Sequence, residues 1–514
     1  MKVNQVRAGA VLSYVSIILS TVISFVYTPI MIGRLGDSEY GVYQFVLPII
    51  SYLSLLSFGL GSAYVRYYSR FKAADDRDGM LNGMFLLAYT VQGTVVLIIG
   101  LWLSYHGSVI FGTKLTAEEV TLGVKLLRIM TVNAALTFPI TVFESYVTIH
   151  ERYLFQKIVA MGKQVLNPLI MIPLLLMGYR SVAMTVLSLI FTILSGIINV
   201  GYCVFKLKIT FRFGPYTSHD FKLIREMFSF MLYVFIGIVV ENINWSIDRQ
   251  LLGWIHGSTA VTVYTVASQV NIYFLTFATA VSNVLTPQVH RLVAEARPMR
   301  ELDAMFTKVG RLQFILLGCI LLGFVAVGRG FLALWGQSAA YADTRYWIAL
   351  LLMFTCLWTN IQTLGTIIQQ AMNMHKFRSF LYLAVLIGNI LISIPLCWKW
   401  EGLGSAIGTA IATLIGNVTL MNWYYHKRIG LNIPMFWKHI FHLLPSMLLP
   451  FIAAVLLAIY VYPTSYFGVA GIAAAFALLY GACMWLFGMN RYERGLVTTI
   501  VRKFLPARRG RRRR

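Results

Sequence analysis

The sequence predicts an all-α, polytopic membrane protein, and three observations support this fold class. The chain has 514 residues, of which 58% are hydrophobic and only 12% are charged, and its mean hydropathy is +0.72. Apolar runs of roughly 20 residues, the length that an α-helix needs to cross about 30 Å of hydrocarbon, follow one another almost without interruption. One octapeptide also recurs in similar form in the second half of the chain. This composition excludes a soluble globular protein.

About fourteen apolar runs are long enough to span a bilayer as helices. Short connections that contain charged residues, glycine or proline separate them, so the runs are read as successive crossings of one membrane. In chain order, the predicted spans are 10–33, 41–65, 82–104, 121–148, 156–178, 182–205, 228–255, 261–287, 309–328, 345–371, 379–398, 402–424, 441–462 and 467–488.

The chain contains an internal repeat. The octapeptide NPLIMIPL at 167–174 returns as NILISIPL at 389–396, a separation of 222, and a shift of 221 aligns 36–85 with 257–306 without a gap. Because each repeat unit holds six helices, an even number, both copies enter the membrane in the same orientation. Two parallel six-helix lobes that enclose a central cavity are therefore predicted. The predicted domains are an N-terminal lobe at 1–220, a C-terminal lobe at 221–430, two additional helices at 431–488 and a basic cytoplasmic tail at 489–514.

The basic residues predict how the chain is oriented in the membrane. Most of the 43 Lys and Arg residues fall at the termini and in alternate loops, and cationic loops stay on the cytoplasmic side. Both termini are therefore predicted to be cytoplasmic. The net charge of +24 reflects this topology, so no nucleic-acid partner is expected. The tail VRKFLPARRGRRRR at 501–514 is predicted to bind anionic membrane lipids.

Absences from the sequence exclude several classes of enzyme. No connection is longer than about 25 residues, so no soluble catalytic domain is inserted, and no phosphate-binding loop of the form G-x-x-x-x-G-K-[ST] occurs. A membrane polymerase or ligase generally needs a long exterior loop, whereas the connections near 105–120 and 329–344 are short and hold few catalytic groups. We therefore expect a protein that is not an enzyme and that has no cofactor.

Polar residues interrupt the seventh predicted span. At 100° per residue, Glu241, Asn244 and Asp248 lie on one face of the helix, so they predict a polar stripe that faces a cavity and not lipid. Trp245 lies beside the stripe, and Arg249 points about 100° away from Asp248. We expect Asp248 and Arg249 each to have a partner on another helix. Glu241 is either a carboxylate that takes up a proton during transport or a neutral, buried side chain.

Further cations lie near the ends of predicted spans. Arg66 and Arg70 end the second span on the cytoplasmic side, and Arg291 repeats the position of Arg70 after the eighth span. Lys125 and Arg128 lie about one turn apart at the outer end of the fourth span. These side chains are either binding groups for an anion or topology signals that extend to the interface.

Three stretches of the sequence carry a resemblance to a known family. They are YTPIMIGRLGDSEYGVYQFV (27–46), IDRQLLGWIHGSTAVTVYTVASQ (247–269) and EGLGSAIGTAIATLIGN (401–417). They resemble the polysaccharide-biosynthesis flippases, which are O-antigen and exopolysaccharide translocases of the multidrug/oligosaccharidyl-lipid/polysaccharide exporter superfamily. The resemblance covers nearly the whole chain and implies a V-shaped, MATE-like fold. It also implies that a polyprenyl-diphosphate-linked oligosaccharide is moved from the inner to the outer leaflet of a bacterial cytoplasmic membrane by alternating access.

This cargo gives the candidate residues their expected roles. Arg249 either grips the diphosphate with its planar guanidinium or forms a structural ion pair. The five cations at the span ends would collect the diphosphate at one interface and receive it at the other. Trp245 would stack on a sugar ring. Glu144, in the fourth span, joins the polar stripe as a candidate for coupling to H⁺ or Na⁺, and the sequence leaves that choice open.

Two other cargoes remain open on the same fold. A multidrug or cation antiporter typically carries a carboxylate in its first helix, and 10–33 contain no acid. Resemblance to a lipid II flippase would imply a cavity lined by arginines from the first, second and eighth helices. Those spans are nearly free of arginine here. The expected partners are the lipid-linked glycan, anionic lipids and, among proteins, a polysaccharide polymerase or glycosyltransferases.

Overall fold

The structure is a computed structural model, and all regular structure in the part of the chain that it describes is helical. Helices satisfy every backbone hydrogen bond within one segment, which a bilayer core requires. The predicted all-α class is therefore confirmed. The structure describes residues 5–58, 60–73, 78–214, 235, 238, 239, 242, 243, 246–374 and 376–504.

The chain forms two compact units. Unit 1 consists of Met1–Thr265 and Ile394–Ser405, and unit 2 consists of Val266–Ser393 and Ala406–Arg514. The predicted boundary between the lobes, at 220, falls outside the described residues. The predicted domain limits therefore stay a prediction.

Unit 1 contains helices α1 to α8, the start of α9 and a short part of α13. Helix α5 begins with a capping box, in which the Thr116 hydroxyl accepts from the backbone N–H of Glu119 while the Glu119 carboxylate accepts from the backbone N–H of Thr116. The helices that begin in this unit are α1 Gln5–Ser54, α2 Leu60–Ala73, α3 Asp78–Tyr105, α4 Gly107–Ile110, α5 Ala117–Ile149, α6 Tyr153–Leu176, α7 Ser181–Gly201, α8 246–256 and α9 Ser258–Ala294.

Unit 2 contains the remainder of α9 and the helices that follow. Several of its helices end in, or are joined by, π-helical turns, for example Met484–Gly488 after α17. The helices are α10 Met299–Trp335, α11 Ala342–Asn360, α12 Thr363–Ala371, α13 Lys376–Thr413, α14 Met421–Tyr424, α15 Ile433–Phe441, α16 Leu444–Tyr460, α17 Tyr466–Cys483 and α18 Arg491–Phe504.

Among the described residues, nine helices are long and apolar enough to cross a membrane, or up to eleven if each of two bent pairs is one span. Val15–Ser57 covers most of the first two predicted spans, and Phe377–Ile429 covers the eleventh and twelfth. Much of the seventh predicted span lies outside the described residues. The protein is a multi-pass membrane protein, and the count of fourteen spans stays a prediction.

Each of these two long helices is broken at one place. Inside α1, Gly36 has φ 78° and ψ 167°, a conformation that is essentially restricted to glycine. Helix α13 is broken at Trp400 and Glu401, where Glu401 has φ 48°. Both breaks fall between two predicted spans. Each long helix therefore corresponds to two predicted spans joined by a tight bend.

The breaks recur at the spacing of the internal repeat. Gly257, which lies 221 residues after Gly36, also has a positive φ, of 89°. Gly178, between α6 and α7, has φ 95°, and the break at Trp400 follows it by 222 residues. The two copies therefore bend at equivalent positions, so the backbone supports the repeat that the sequence predicts.

Unit 1 buries one cluster of apolar and aromatic side chains and leaves many other large apolar side chains exposed. Tyr64, Phe85 and Phe138 belong to one buried cluster that α2, α3 and α5 share. Ile18 and Phe205 are among many large apolar side chains that stay exposed. Lipid tails are as apolar as these side chains, so this exposure is the expected state of a membrane-facing surface.

Candidate functional site

Asp248, on α8, is the centre of a polar site in unit 1. Its side chain is buried, with 6% exposure. The Tyr264 hydroxyl donates to Oδ2 at 2.7 Å, and the Ser405 hydroxyl donates to Oδ1 at 2.6 Å. Tyr264 belongs to α9 and Ser405 to α13, so the acid is held from two other helices. An ionisable group in a membrane helix is tolerated when polar partners replace water, and these hydroxyls meet that need.

Arg249 extends the site towards α1. Its Nη1 donates to the side-chain oxygen of Gln44 at 3.4 Å, and the Ser51 hydroxyl donates to the side-chain oxygen of Asn242 at 2.7 Å. Gln44 and Ser51 lie seven residues apart on α1, and Asn242 and Arg249 lie seven apart in the chain, so the two hydrogen bonds pair the segments in opposite chain directions. Polar side chains thus join α1 to α8 and to Asn242, which precedes α8 in the chain: Gln44, Ser51, Asn242 and Arg249.

A second cluster joins the two copies of the repeated segment within unit 1. Ser38, in the first copy, donates to Oε1 of Glu119 at 2.6 Å, and the hydroxyl of Ser258, in the second copy, donates to the same oxygen. The other oxygen of Glu119 caps the start of α5 through the backbone N–H of Thr116 at 2.8 Å. We call this cluster the Glu119 junction.

The two copies also touch directly at equivalent positions. The Thr262 hydroxyl donates to the backbone oxygen of Asp37 at 2.5 Å. A Cβ atom added at Gly41 would lie 2.0 Å from the backbone oxygen of Ser258, so the helices pass too closely for any side chain there. With the shift of 221, Thr262 is the equivalent of Gly41, and Ser258 is the equivalent of Asp37. The contact therefore relates the two copies by a local two-fold arrangement.

Glu39, from the same stretch, holds the start of α7. The backbone N–H and the hydroxyl of Ser181 donate to its Oε1 at 2.9 and 2.5 Å, and Nη1 of Arg180 donates to Oε2 at 3.1 Å. A carboxylate at a helix N-terminus satisfies backbone donors that have no partner within the helix. Glu39 therefore caps the N-terminus of α7.

A polar line also runs between α5, α6 and α7. The half-buried Lys163 ammonium on α6 donates to the Thr192 hydroxyl on α7 at 2.9 Å, and it lies close enough to Glu144 on α5 for the two charges to interact. The sequence prediction included Glu144 but passed over Lys163, although this lysine lies inside the predicted span 156–178. A cation in the membrane interior beside a carboxylate makes this line a second candidate site.

Three other predicted cations have side chains that the structure describes, and all three are exposed: Lys125, Arg128 and Arg291. Lys125 and Arg128 are exposed on α5, where Arg128 Nε donates to the Ser104 hydroxyl at 3.3 Å. Arg291 is exposed near the end of α9, in unit 2. The structure therefore leaves their predicted roles as predictions. The remaining predicted residues, or their side chains, lie outside what the structure describes: Arg66, Arg70, Glu241, Asn244 and Trp245.

Three hydrogen-bond partners of Asp248 and Arg249 that sequence reasoning missed lie in the three stretches of the resemblance. Gln44 belongs to 27–46 and Tyr264 to 247–269, and Ser405 belongs to 401–417. Unit 1 brings these three stretches together around Asp248 and Arg249. The sequence therefore identified the three stretches that form the site. It did not identify which polar residue of each stretch bonds to Asp248 or Arg249.

A family model described as polysaccharide biosynthesis protein matches residues 6–293 of the chain. This region is more than half of the 514 residues and includes α1 to α8. No curated protein matches the chain.

Solved structures of membrane transporters share the fold. The lipid II flippase MurJ, in an inward closed conformation, is similar with a TM-score of 0.74 and 16% identity, over 95% of this chain and 100% of that chain. An inward-facing multidrug resistance MATE family transporter of the MOP superfamily has a TM-score of 0.59 and 15% identity, over 82% and 96%. A MOP superfamily transporter from Pyrococcus furiosus has a TM-score of 0.54 and 16% identity, over 84% and 94%. At these identities the likeness is one of fold.

Proposed function

We propose that this chain, which belongs to the polysaccharide biosynthesis protein family, is a flippase for a polyprenyl-diphosphate-linked oligosaccharide. The cargo would be an O-antigen, capsule or exopolysaccharide repeat unit that crosses from the inner to the outer leaflet by alternating access. The observation that carries the proposal is the family match over residues 6–293, on a fold that a lipid II flippase also has. The proposed place is the bacterial cytoplasmic membrane, with both termini in the cytoplasm.

The cargo requires a cation inside the membrane, because its diphosphate is anionic. Arg249 lies on a helix within unit 1 and presents a planar guanidinium that can hold two phosphate oxygens at once. Its contact with Gln44, at 3.4 Å, is long for a hydrogen bond to a neutral amide. A phosphate oxygen would give this guanidinium a charge-assisted hydrogen bond. We assign Arg249 the role of diphosphate contact.

Asp248 has a positioning role in this proposal. Both of its oxygens accept from hydroxyls on α9 and α13, so the carboxylate is committed to holding α8 in place. Holding α8 sets the direction in which Arg249 points, since the two residues are adjacent. Replacement of Asp248 should therefore reduce transport by lowering the fraction of correctly placed Arg249.

Coupling to a cation gradient, H⁺ or Na⁺, is a further part of the proposal. Glu144 is the candidate that the structure describes, and its neighbour Lys163 places a positive charge close to the same carboxylate. A coupling role predicts that the variant Glu144→Gln loses the response of transport to an imposed gradient. An unchanged response would remove Glu144 from this role.

The test is complementation of a strain that lacks the corresponding gene. We expect the wild-type gene to restore surface glycan and to clear the lipid-linked intermediate from the cytoplasmic side. Arg249→Ala should reduce flipping at least tenfold at unchanged protein level, because one charge-assisted bidentate contact is worth about 1.5 to 3 kcal/mol. Arg249→Lys is the matched control that keeps the charge but loses the fork, and it should retain part of the activity.

Three outcomes would point away from the proposal. Normal flipping by Arg249→Ala at equal expression would remove the diphosphate assignment. Restored drug resistance without restored glycan would favour a multidrug antiporter, although the described part of α1 before Gly36 contains no acid. Rescue of a strain depleted of its lipid II flippase would favour lipid II, which carries the same diphosphate on a different saccharide. Co-purification with a polymerase or glycosyltransferase would identify a docked biosynthetic partner.

A further inference from the structure

The side of α12 that stays open is polar, whereas its buried side is apolar. Leu364, Ile367 and Ile368 are buried in unit 2. The residues of 359–370 that are not buried lie three and four positions apart, so they share one side of the helix. These residues, which we call the α12 face, are Thr359, at the end of α11, and Thr363, Thr366 and Gln370 on α12.

The first copy of the repeat has the same pattern on α5. A shift of 222 aligns 359–370 with 137–148. Pro139 and Ile140 are half-buried in this stretch. The four positions that align with the α12 face are again polar and are exposed or half-buried, and we call them the α5 face: Thr137, Thr141, Glu144 and Thr148. All other residues of the stretch are buried. Each unit therefore presents an open polar side on the same helix of its repeat.

Every threonine of the two faces donates its hydroxyl hydrogen to a backbone oxygen of the preceding turn. The shortest donor–acceptor distances are 2.9 to 3.0 Å on α5 and 2.7 to 3.1 Å on α11 and α12. A hydroxyl has one hydrogen and two lone pairs, so each oxygen can still accept a hydrogen bond. Each face is therefore a row of acceptors, which fits a molecule that carries many O–H donors.

Unit 1 adds a cation beside its face. Lys163, on α6, and Glu144 are both half-buried, and their charges are close enough to interact. No hydrogen bond or ion pair joins these two described side chains, and Lys163 donates to the Thr192 hydroxyl at 2.9 Å. A sugar hydroxyl can accept from an ammonium and donate to a carboxylate, whereas an ionised diphosphate or a hydrocarbon tail cannot do both. The two charges therefore fit the same hydroxyl-rich molecule as the threonines.

The depth of the two faces in the membrane favours a polar partner. Helix α5 and the bent pair of α11 and α12 are candidate membrane spans, and a polar surface at that depth needs water or a polar molecule beside it. Helix α3 shows the contrast. Thr90 and Thr94 are exposed there, but Leu87, Val91 and Ile98 around them are exposed apolar side chains, as expected of a surface that faces lipid.

We propose that the α5 face and the α12 face are each a contact surface for the saccharide of the lipid-linked cargo. The inference rests on the proposed function and assigns the saccharide, and not the diphosphate, to these residues. Rows of acceptors suit O–H donors and disfavour an anion, so the diphosphate stays with Arg249. The threonine hydroxyls are enough to form the surface, so the inference does not require Glu144 to remain ionised.

The first test replaces the hydroxyls by methyl groups of the same shape. The substitutions are made together on each face: Thr359→Val, Thr363→Val and Thr366→Val in unit 2, and Thr137→Val, Thr141→Val and Thr148→Val in unit 1. We expect each triple variant to flip the lipid-linked oligosaccharide about fivefold more slowly at unchanged protein level, because several hydrogen bonds of modest strength are lost together.

The control for both triple variants lies on α3. Thr90→Val with Thr94→Val removes hydroxyls that donate in the same way, to the backbone oxygens four residues earlier at 2.7 and 2.9 Å. These threonines lie among exposed apolar side chains, so flipping by the double variant should equal that of the wild type.

The second test uses single cysteines, which disturb the fold less than triple variants. Thr141→Cys and Thr363→Cys in full-length protein in nanodiscs should react with a charged, water-soluble methanethiosulfonate, whereas Thr94→Cys should not. Wild-type protein gives the background from the five native cysteines. The probes are the lipid-linked oligosaccharide extracted from the strain that lacks the gene and polyprenyl diphosphate without a saccharide. We expect only the first probe to slow the labelling, by several-fold.

Three results would overturn the inference. One is wild-type flipping by both triple variants. Another is equal protection of the cysteines by the two lipids, which would assign the faces to the diphosphate or the polyprenyl chain. The third is no labelling of Thr141→Cys and Thr363→Cys. Failure of the wild-type gene to restore surface glycan would instead count against the proposed function, whereas restored glycan with any of these three results would overturn this inference alone.

Discussion

The two copies of the repeated segment bend at equivalent glycines but use different side chains afterwards. In the first copy Glu39 holds the start of α7, whereas Ala260 stands at the equivalent position of the second copy. Glu119 accepts from Ser38 in the first copy, but in the second it accepts from Ser258, which is the equivalent of Asp37. The bend is therefore common to both copies, while the hydrogen bonds around it differ. The two copies thus share the backbone bend but not the side-chain contacts around it.

The largest loss of stability is expected from a substitution where the two copies of the repeated segment are in contact. Gly41→Ala would place a Cβ 2.0 Å from a backbone oxygen of the other copy, and a backbone cannot move aside as a side chain can. We expect a loss of about 3 kcal/mol in the free energy of unfolding, seen as a lower thermal midpoint in detergent. Gly162→Ala is the control, because nothing lies within 4 Å of its added Cβ and alanine favours helix. A wild-type midpoint for Gly41→Ala would show that the copies do not approach this closely.

A smaller loss is expected at the bend itself. Gly36→Ala meets no neighbour within 4 Å, so the cost is the strained backbone alone, about 2 kcal/mol. Gly257→Ala adds a contact of 3.1 Å with the backbone oxygen of Lys114 to a positive φ, and it should be at least as destabilising. The measurement is again the thermal midpoint, with both variants compared at equal purity. If Gly36→Ala is neutral while Gly257→Ala is not, the two copies do not share this constraint.

The smallest loss of stability is expected at Glu39, a side chain that only the first copy has. Glu39→Ala leaves the N-terminus of α7 without its acceptor and should cost about 1 kcal/mol. The same variant should also show faster hydrogen exchange at the backbone amides of the start of α7. Glu39→Gln keeps a neutral acceptor and serves as the matched control, with a smaller rise. Unchanged exchange at Ser181 in the alanine variant would contradict the assignment of Glu39 as a cap.

The sequence predicted most of the fold because the bilayer imposes strong patterns on the chain. Runs of apolar residues predicted the membrane helices, of which nine to eleven are seen among the described residues, and the recurrence of NPLIMIPL predicted a repeat. Hydropathy placed a break between the first two spans, and the structure locates the bend at Gly36. The polar stretch 34–39 marks where the chain turns, but it does not say that the whole turn is made by one glycine with a positive φ.

The candidate site was predicted only in part. Asp248 and Arg249 stood out because ions in membrane helices are rare, but the partners of Asp248 are 16 and 157 residues away in the chain. Tyr264 and Ser405 are common residue types whose role depends on the packing of three helices. Lys163 was passed over for a different reason, since basic residues were counted first as topology signals.

The Glu119 junction has a consequence for any motion at this place in unit 1. A single carboxylate oxygen receives both hydroxyls, and hydrogen bonds weaken steeply with distance and angle. A shift of either segment by about an ångström would break its bond instead of stretching it. The Glu119 junction would thus be either formed or broken, with no intermediate state. Protonation of that one oxygen would weaken the hydrogen bonds from both Ser38 and Ser258.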